Sequence, residues 1–141
     1  TPAYYLDHED SYEYRKQIPL RLADGKPSTM RLFVGEDLSA QNKAKLNCVL
    51  RLGFAGAEPK SHIAITINGQ GFYSGPLGKL LVPTTGRLPR KQPAPTAYVQ
   101  WNVEQVSAFC QGWNDISVTV NGGAKAAVQV MEVQFCVSPN G

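Results

Sequence analysis

The sequence predicts an all-β chain folded as an antiparallel β-sandwich of eight or nine strands with little helix. Three observations carry that reading. Apolar residues recur with period two. The runs end in glycine-rich turn dipeptides at intervals of roughly ten residues, as strands of a sandwich do. Helical spacing is confined to one short stretch. With 141 residues, 43% of them hydrophobic, the chain has material for one sizeable core and not for two. Residues 1–141 are therefore read as a single domain.

The strands follow in order. Ile18, Leu20 and Leu22 precede the turn Asp24-Gly25, and Met30, Leu32 and Val34 come after it. Leu46, Cys48, Leu50, Leu52 and Phe54 alternate with Asn47, Val49, Arg51 and Gly53. Ile63, Ile65 and Ile67 alternate with His62, Ala64 and Thr66 and stop at Asn68-Gly69. Ile116, Val118 and Val120 alternate with Ser117 and Thr119 and meet Asn121-Gly122-Gly123. Each pattern is that of a half-buried strand closed by turn chemistry. In the last run, Ala127 to Val137, Val128 and Val130 hold one parity, while Met131, Val133, Phe135 and Val137 hold the other. A bulge near Val130 reconciles them.

Weaker strands are expected at Tyr12–Lys16, Lys79–Val82 and Tyr98–Val103, and a helical turn at Glu104–Cys110. Pro83, Gly86, Pro89, Pro93 and Pro95 cannot share a ladder, so Pro83–Pro95 reads as a long loop. Loops of that length are usually functional or mobile.

The net charge of +3 is too mild to argue for nucleic acid, and no run approaches the roughly 18 apolar residues of a membrane helix. Charge is unevenly placed. Lys60, Lys79, Arg87, Arg90 and Lys91 fall between Pro59 and Val103 without one acidic residue, whereas Asp7, Glu9, Asp10 and Glu13 crowd the start. Cys48, Cys110 and Cys136 allow at most one disulfide and have no metal-knuckle spacing. Parity turns Cys48 inward and Cys136 away from Phe135 and Val137, so a buried Cys48–Cys136 bridge is not expected.

One arrangement is more specific. The strand His62–Ile67 ends in Asn68-Gly69-Gln70. After a variable stretch come Tyr98-Val99-Gln100-Trp101-Asn102-Val103 and then Gly112-Trp113-Asn114-Asp115-Ile116-Ser117-Val118. Over roughly residues 29 to 137 this resembles the galactose-binding-domain-like jelly roll of bacterial glycoside hydrolases and carbohydrate-binding modules. That family often shows an "NG" strand end, an aromatic strand and a "G-x-N-x-I-x-V" strand start. Phe33-Val34-Gly35-Glu36-Asp37-Leu38 is similar to its "V-x-D-D-L" segment, with Glu36 replacing the first Asp. The resemblance implies a module of a larger exported protein, secreted, periplasmic or at the cell surface. Its ligand residues sit on variable loops, so none transfers by motif. The motif has its own physics: Gly112 is free to take a positive φ, Asn114 to bond its own backbone, and Ile116 and Val118 to enter the core.

Sugars are bound by flat aromatic faces and a few polar groups that read hydroxyls. Trp101 shares parity with Val99 and Val103 and is expected in the core. Trp113, beside Gly112, is either a packing lid or a ligand platform. Phe72 and Tyr73, between Gly71 and Gly75-Pro76, sit on a loop or short edge strand, as ligand contacts or as edge packing. Arg87, Arg90 and Lys91 either recognise an acidic glycan through guanidinium forks or keep a loop solvated. Tyr4, Tyr5, Tyr12 and Tyr14 are expected to cover the sandwich or dock to a neighbouring domain.

Catalysis finds little support. No nucleophile elbow, zincin or P-loop pattern occurs, and His62 is expected to face away from the isoleucines. Glu36 and Asp37, adjacent on the chain, make a poor glycosidase pair. Asp7, Glu9 and Asp10 are either ligands of a structural Ca²⁺ or a frayed acidic terminus; no other cofactor is expected. The expectation is therefore a non-catalytic module, excised from a larger exported protein, that binds carbohydrate through Phe72, Tyr73, Trp113, Arg87 and Arg90. The alternatives are a purely structural domain packed against a catalytic neighbour, and a glycosidase domain.

Overall fold

In a computed structural model, residues 17–35, 38, 46–83, 96–103, 108–121 and 128–138 are described in full, and 3–7 and 139 by their backbone. Ten strands among them pair in two antiparallel sheets, nine of three residues or more and one of two. They are β1 Ala3–Asp7, β2 Leu20–Leu22, β3 Ser28–Val34, β4 Leu46–Ala55 and β5 His62–Ile67. After them come β6 Gln70–Pro76, β7 Val82–Pro83, β8 Ala97–Asn102, β9 Gly112–Asn121 and β10 Val128–Pro139. The larger sheet runs β1-β10-β4-β8-β7, with β2 beside β10; the smaller runs β3-β9-β5-β6. This is the expected all-β sandwich.

Alternation places the core. In the smaller sheet Ile65 pairs with Val118 and Ile67 with Ile116, while Met30 faces Ile116 from the other side. All five side chains are buried. Against them the larger sheet turns Leu50, Leu52, Phe54, Val99, Val133 and Phe135, each without measurable exposure. Burying one such side chain stabilises the fold by about 1.5–3 kcal/mol. Phe109 closes one end by stacking on Phe135, with ring centroids 4.3 Å apart and planes 24° from parallel.

The double parity of the last strand is resolved as expected. Val130 pairs with Phe54 and Glu132 with Gly53, so Met131 is the extra residue of a bulge, and Val133, Phe135 and Val137 regain the inner face. Cys48 points inward and Cys136, on the opposite parity of β10, is half-buried; all three cysteines are free thiols.

Two segments differ from expectation. Of the Lys79–Val82 region only Val82 is strand, continuing into Pro83 of the expected loop, because Gly78–Leu80 forms a 3₁₀ turn. Buried Leu77 anchors that turn through its N–H to the Ser61 carbonyl (2.9 Å), and Gly78 follows with φ +48°. The start of the chain contributes β1, which the acidic composition hid, paired along β10 from Ala3↔Cys136 to Asp7↔Glu132. Tyr12–Lys16, residues 84–95 of the expected loop and 104–107 of the expected helical turn lie outside the described residues.

Candidate functional site

The outer face of the smaller sheet carries the most distinctive exposed surface. β3 alternates outward Thr29, Arg31 and Phe33 with buried Met30, Leu32 and Val34. β9 alternates outward Trp113, Asp115 and Ser117 with buried Asn114, Ile116 and Val118. The antiparallel register sets these opposite one another as Phe33↔Trp113, Arg31↔Asp115 and Thr29↔Ser117. Three rows result: aromatic, ionic and hydroxyl.

In the aromatic row the rings meet edge to face, centroids 5.4 Å apart at 73°, and each residue keeps about two-fifths of its surface open (42% and 41%). The Arg31 guanidinium lies over the Trp113 ring at 4.9 Å, and its Nε approaches Asp115 Oδ1 at 3.6 Å. In the third row the Thr29 and Ser117 hydroxyls share a 2.7 Å hydrogen bond. The strand edge is fixed as well. Arg31 N–H donates to Gln17 Oε1 (2.6 Å), and Gln17 Nε2 donates to the Arg31 carbonyl (3.0 Å), so an amide side chain stands in for a neighbouring strand.

Behind Trp113 is a buried amide clamp. Gly112 takes φ +105°, which favours glycine. Asn114, fully buried, donates from Nδ2 to the carbonyls of Cys110 (2.9 Å) and Gly112 (3.0 Å). Its Oδ1 accepts from Cys110 N–H (2.7 Å) and from Asn68 Nδ2 (2.9 Å). Asn68, with φ +51° in the two-residue turn Asn68-Gly69, accepts the Asp115 N–H on its own Oδ1 (2.8 Å). The "NG" turn and the "G-x-N" strand start are thus one hydrogen-bonded unit that fixes the backbone on both sides of Trp113.

Phe72 and Tyr73 go elsewhere. The β5–β6 register shifts between Ile65 and Thr66, since Ile65 pairs with Tyr73 and Thr66 with Gly71, leaving Phe72 as an extra residue. Both rings consequently lean on half-buried Trp101, at centroid distances of 5.7 Å and 5.5 Å, where β6 faces β8. Tyr73 Oη donates to the Pro76 carbonyl (2.7 Å), and a Cβ at Gly75 would stand 3.1 Å from that oxygen. Trp101 Nε1 is buried and has no hydrogen-bond partner among the described residues. Trp113 and the Phe72–Tyr73 pair therefore belong to different surfaces.

His62 is exposed, as alternation required. Arg87, Arg90, Lys91, Glu36, Asp37, Glu9 and Asp10, and the Asp7 side chain, lie outside the described residues. Among the described residues no group of three His, Cys, Asp or Glu side chains is placed to hold a metal. Phe33 and Arg31 were not singled out from the sequence as site residues. The signal was their outward parity beside Leu32 and Val34, but their meeting with Trp113 is a matter of register.

No family model matches the chain, and no curated protein matches it. Among solved structures it is similar to a latent aurone synthase, a polyphenol oxidase from natural source. The likeness has a TM-score of 0.53 at 9% identity and covers 88% of this chain and 26% of that one. At that identity what is shared is the fold. The chain spans about a quarter of the length of that protein.

Proposed function

We propose that the chain is a non-catalytic accessory module of the galactose-binding-like jelly-roll kind, belonging to a larger exported protein and binding carbohydrate on the Phe33–Trp113 face. The observation that supports this most is the open aromatic pair held on a rigid backbone. Large exposed rings cost solvation unless something covers them, and a platform fixed by Asn68 and Asn114 loses little entropy when a sugar lies against it. The exported setting and the jelly-roll type rest on the sequence resemblance. Phe72 and Tyr73 remain candidates for a second contact zone on the β6 side, and Arg87 and Arg90 remain candidates for contact with a glycan.

Titration of the chain with a panel of neutral and acidic polysaccharides, followed by calorimetry and tryptophan fluorescence, is the test. Saturable binding lost on Trp113→Ala supports the reading; silence across the panel removes it.

A second reading has its own support. Trp, Phe and Arg are the residues enriched where proteins dock, and a sandwich of this fold makes up part of a longer oxidase chain. On that reading the same face packs against a neighbouring domain and binds nothing small. It predicts that Trp113→Ala weakens association with the rest of the parent chain and leaves glycan titrations flat.

A further inference from the structure

We propose that the Arg31–Asp115 row makes this face selective for neutral saccharides with adjacent free hydroxyls, the guanidinium donating to one hydroxyl oxygen and the carboxylate accepting from its neighbour. The inference rests on the carbohydrate reading above and adds the ligand class.

Its grounds are in the register. Arg31 and Asp115 are direct cross-strand partners in the row next to Phe33 and Trp113, so a ring stacked on the aromatic pair lies beside both charges. The two side chains are 59% and 61% exposed and approach at 3.6 Å, a solvent-screened surface pair that contributes little to stability. A ligand therefore replaces that ionic contact at small cost. Vicinal hydroxyls present a donor and an acceptor side by side, matching a carboxylate that only accepts and a guanidinium that only donates. The pair sums to zero charge, and a uronate or sulfate laid on it would bring its anion against Asp115. With Arg31 offset by Asp115, these three rows supply no net steering of acidic glycans. The Thr29–Ser117 hydroxyl row extends the polar track along β3 and β9, which suits a chain better than a single sugar. Arg31, held by Gln17 on its backbone and by the Trp113 ring on its side chain, is preorganised for that role.

The test titrates the 141-residue chain with neutral hexasaccharides (cello-, xylo- and manno-series) and with polygalacturonate at low and high salt, reading Trp113 fluorescence and calorimetric heat. At least one neutral series should bind with little salt dependence. Asp115→Asn and Arg31→Gln should each weaken it tenfold or more while urea midpoints stay near wild type. Preferential, salt-sensitive binding of polygalacturonate overturns the proposal. So does full neutral-sugar affinity in both charge variants while Trp113→Ala abolishes it, a result that leaves the carbohydrate reading standing. No binding of any saccharide overturns both.

Discussion

At the scale of single residues, burial and function separate cleanly around Trp113. Its neighbour Asn114 is fully buried and bonds five partners, so Asn114→Ala removes that bond from the Cys110 N–H, from Asn68 Nδ2 and from the carbonyls of Cys110, Gly112 and Leu32. We expect a loss of about 2–4 kcal/mol in urea unfolding. Trp113→Ala, at a site already 41% exposed, should cost less than Asn114→Ala while abolishing any ligand binding by the face. A larger stability loss for Trp113 than for Asn114 would contradict the clamp. Cys48 gives a pH prediction. Burial pushes its thiol up from 9.0 to about 11, so the folded state keeps a proton that the unfolded chain releases earlier. The stability linked to it is whole below pH 9.0 and declines as pH rises through about 11, by up to about 3 kcal/mol. Cys48→Ala removes the titration, so its urea midpoint should fall less steeply over that range than the wild type's. Parallel curves would show that the thiol is not shielded.

At the scale of elements, the strands were legible wherever one parity was apolar, and they were obscured where a bulge or a partner decided the matter. The isoleucines of β5 and the Ile116–Val120 run of β9 announced their inner face, and the two parities of β10 announced its bulge. The β6 bulge stayed hidden because two aromatics between glycines read equally as loop or edge strand; only pairing with β5 shows that Phe72 is the extra residue. The site was half legible for a related reason. Trp113 stood out beside Gly112, but Phe33 and Arg31 join it through a pairing with 80 or more residues between partners, which local pattern does not encode. The β10 bulge yields a sharp test. Deleting Met131 makes Val130↔Phe54 and Glu132↔Gly53 consecutive pairs, so alternation runs unbroken and Val133, Phe135 and Val137 keep both the inner face and their β4 partners. The variant should therefore keep a cooperative urea transition, whereas deleting Gln134, which lies in the regular part of the ladder, should abolish it; loss of cooperativity in the Met131 deletion would mean that Met131 is not the extra residue.

At the scale of the whole molecule, β10 joins the parts of the larger sheet. β4 occupies one edge, and the other is shared end to end by β2 on Val128–Val130 and β1 on Glu132–Cys136. The N-terminal segment therefore does more than cover the sandwich: five residues of β1 shield five consecutive positions of a strand whose inner side chains include Val133 and Phe135. An open edge of that length offers unpaired N–H and C=O groups to another chain. Removing residues 1–7 should lower stability by about 2–4 kcal/mol through the lost ladder. It should also make the chain self-associate more strongly as concentration rises. Sedimentation velocity of the 141-residue and truncated chains over a concentration series checks this. If the truncated chain self-associates no more than the 141-residue chain and unfolds at the wild-type urea midpoint, β1 contributes neither stability nor edge protection, and the β10 edge must be shielded in some other way.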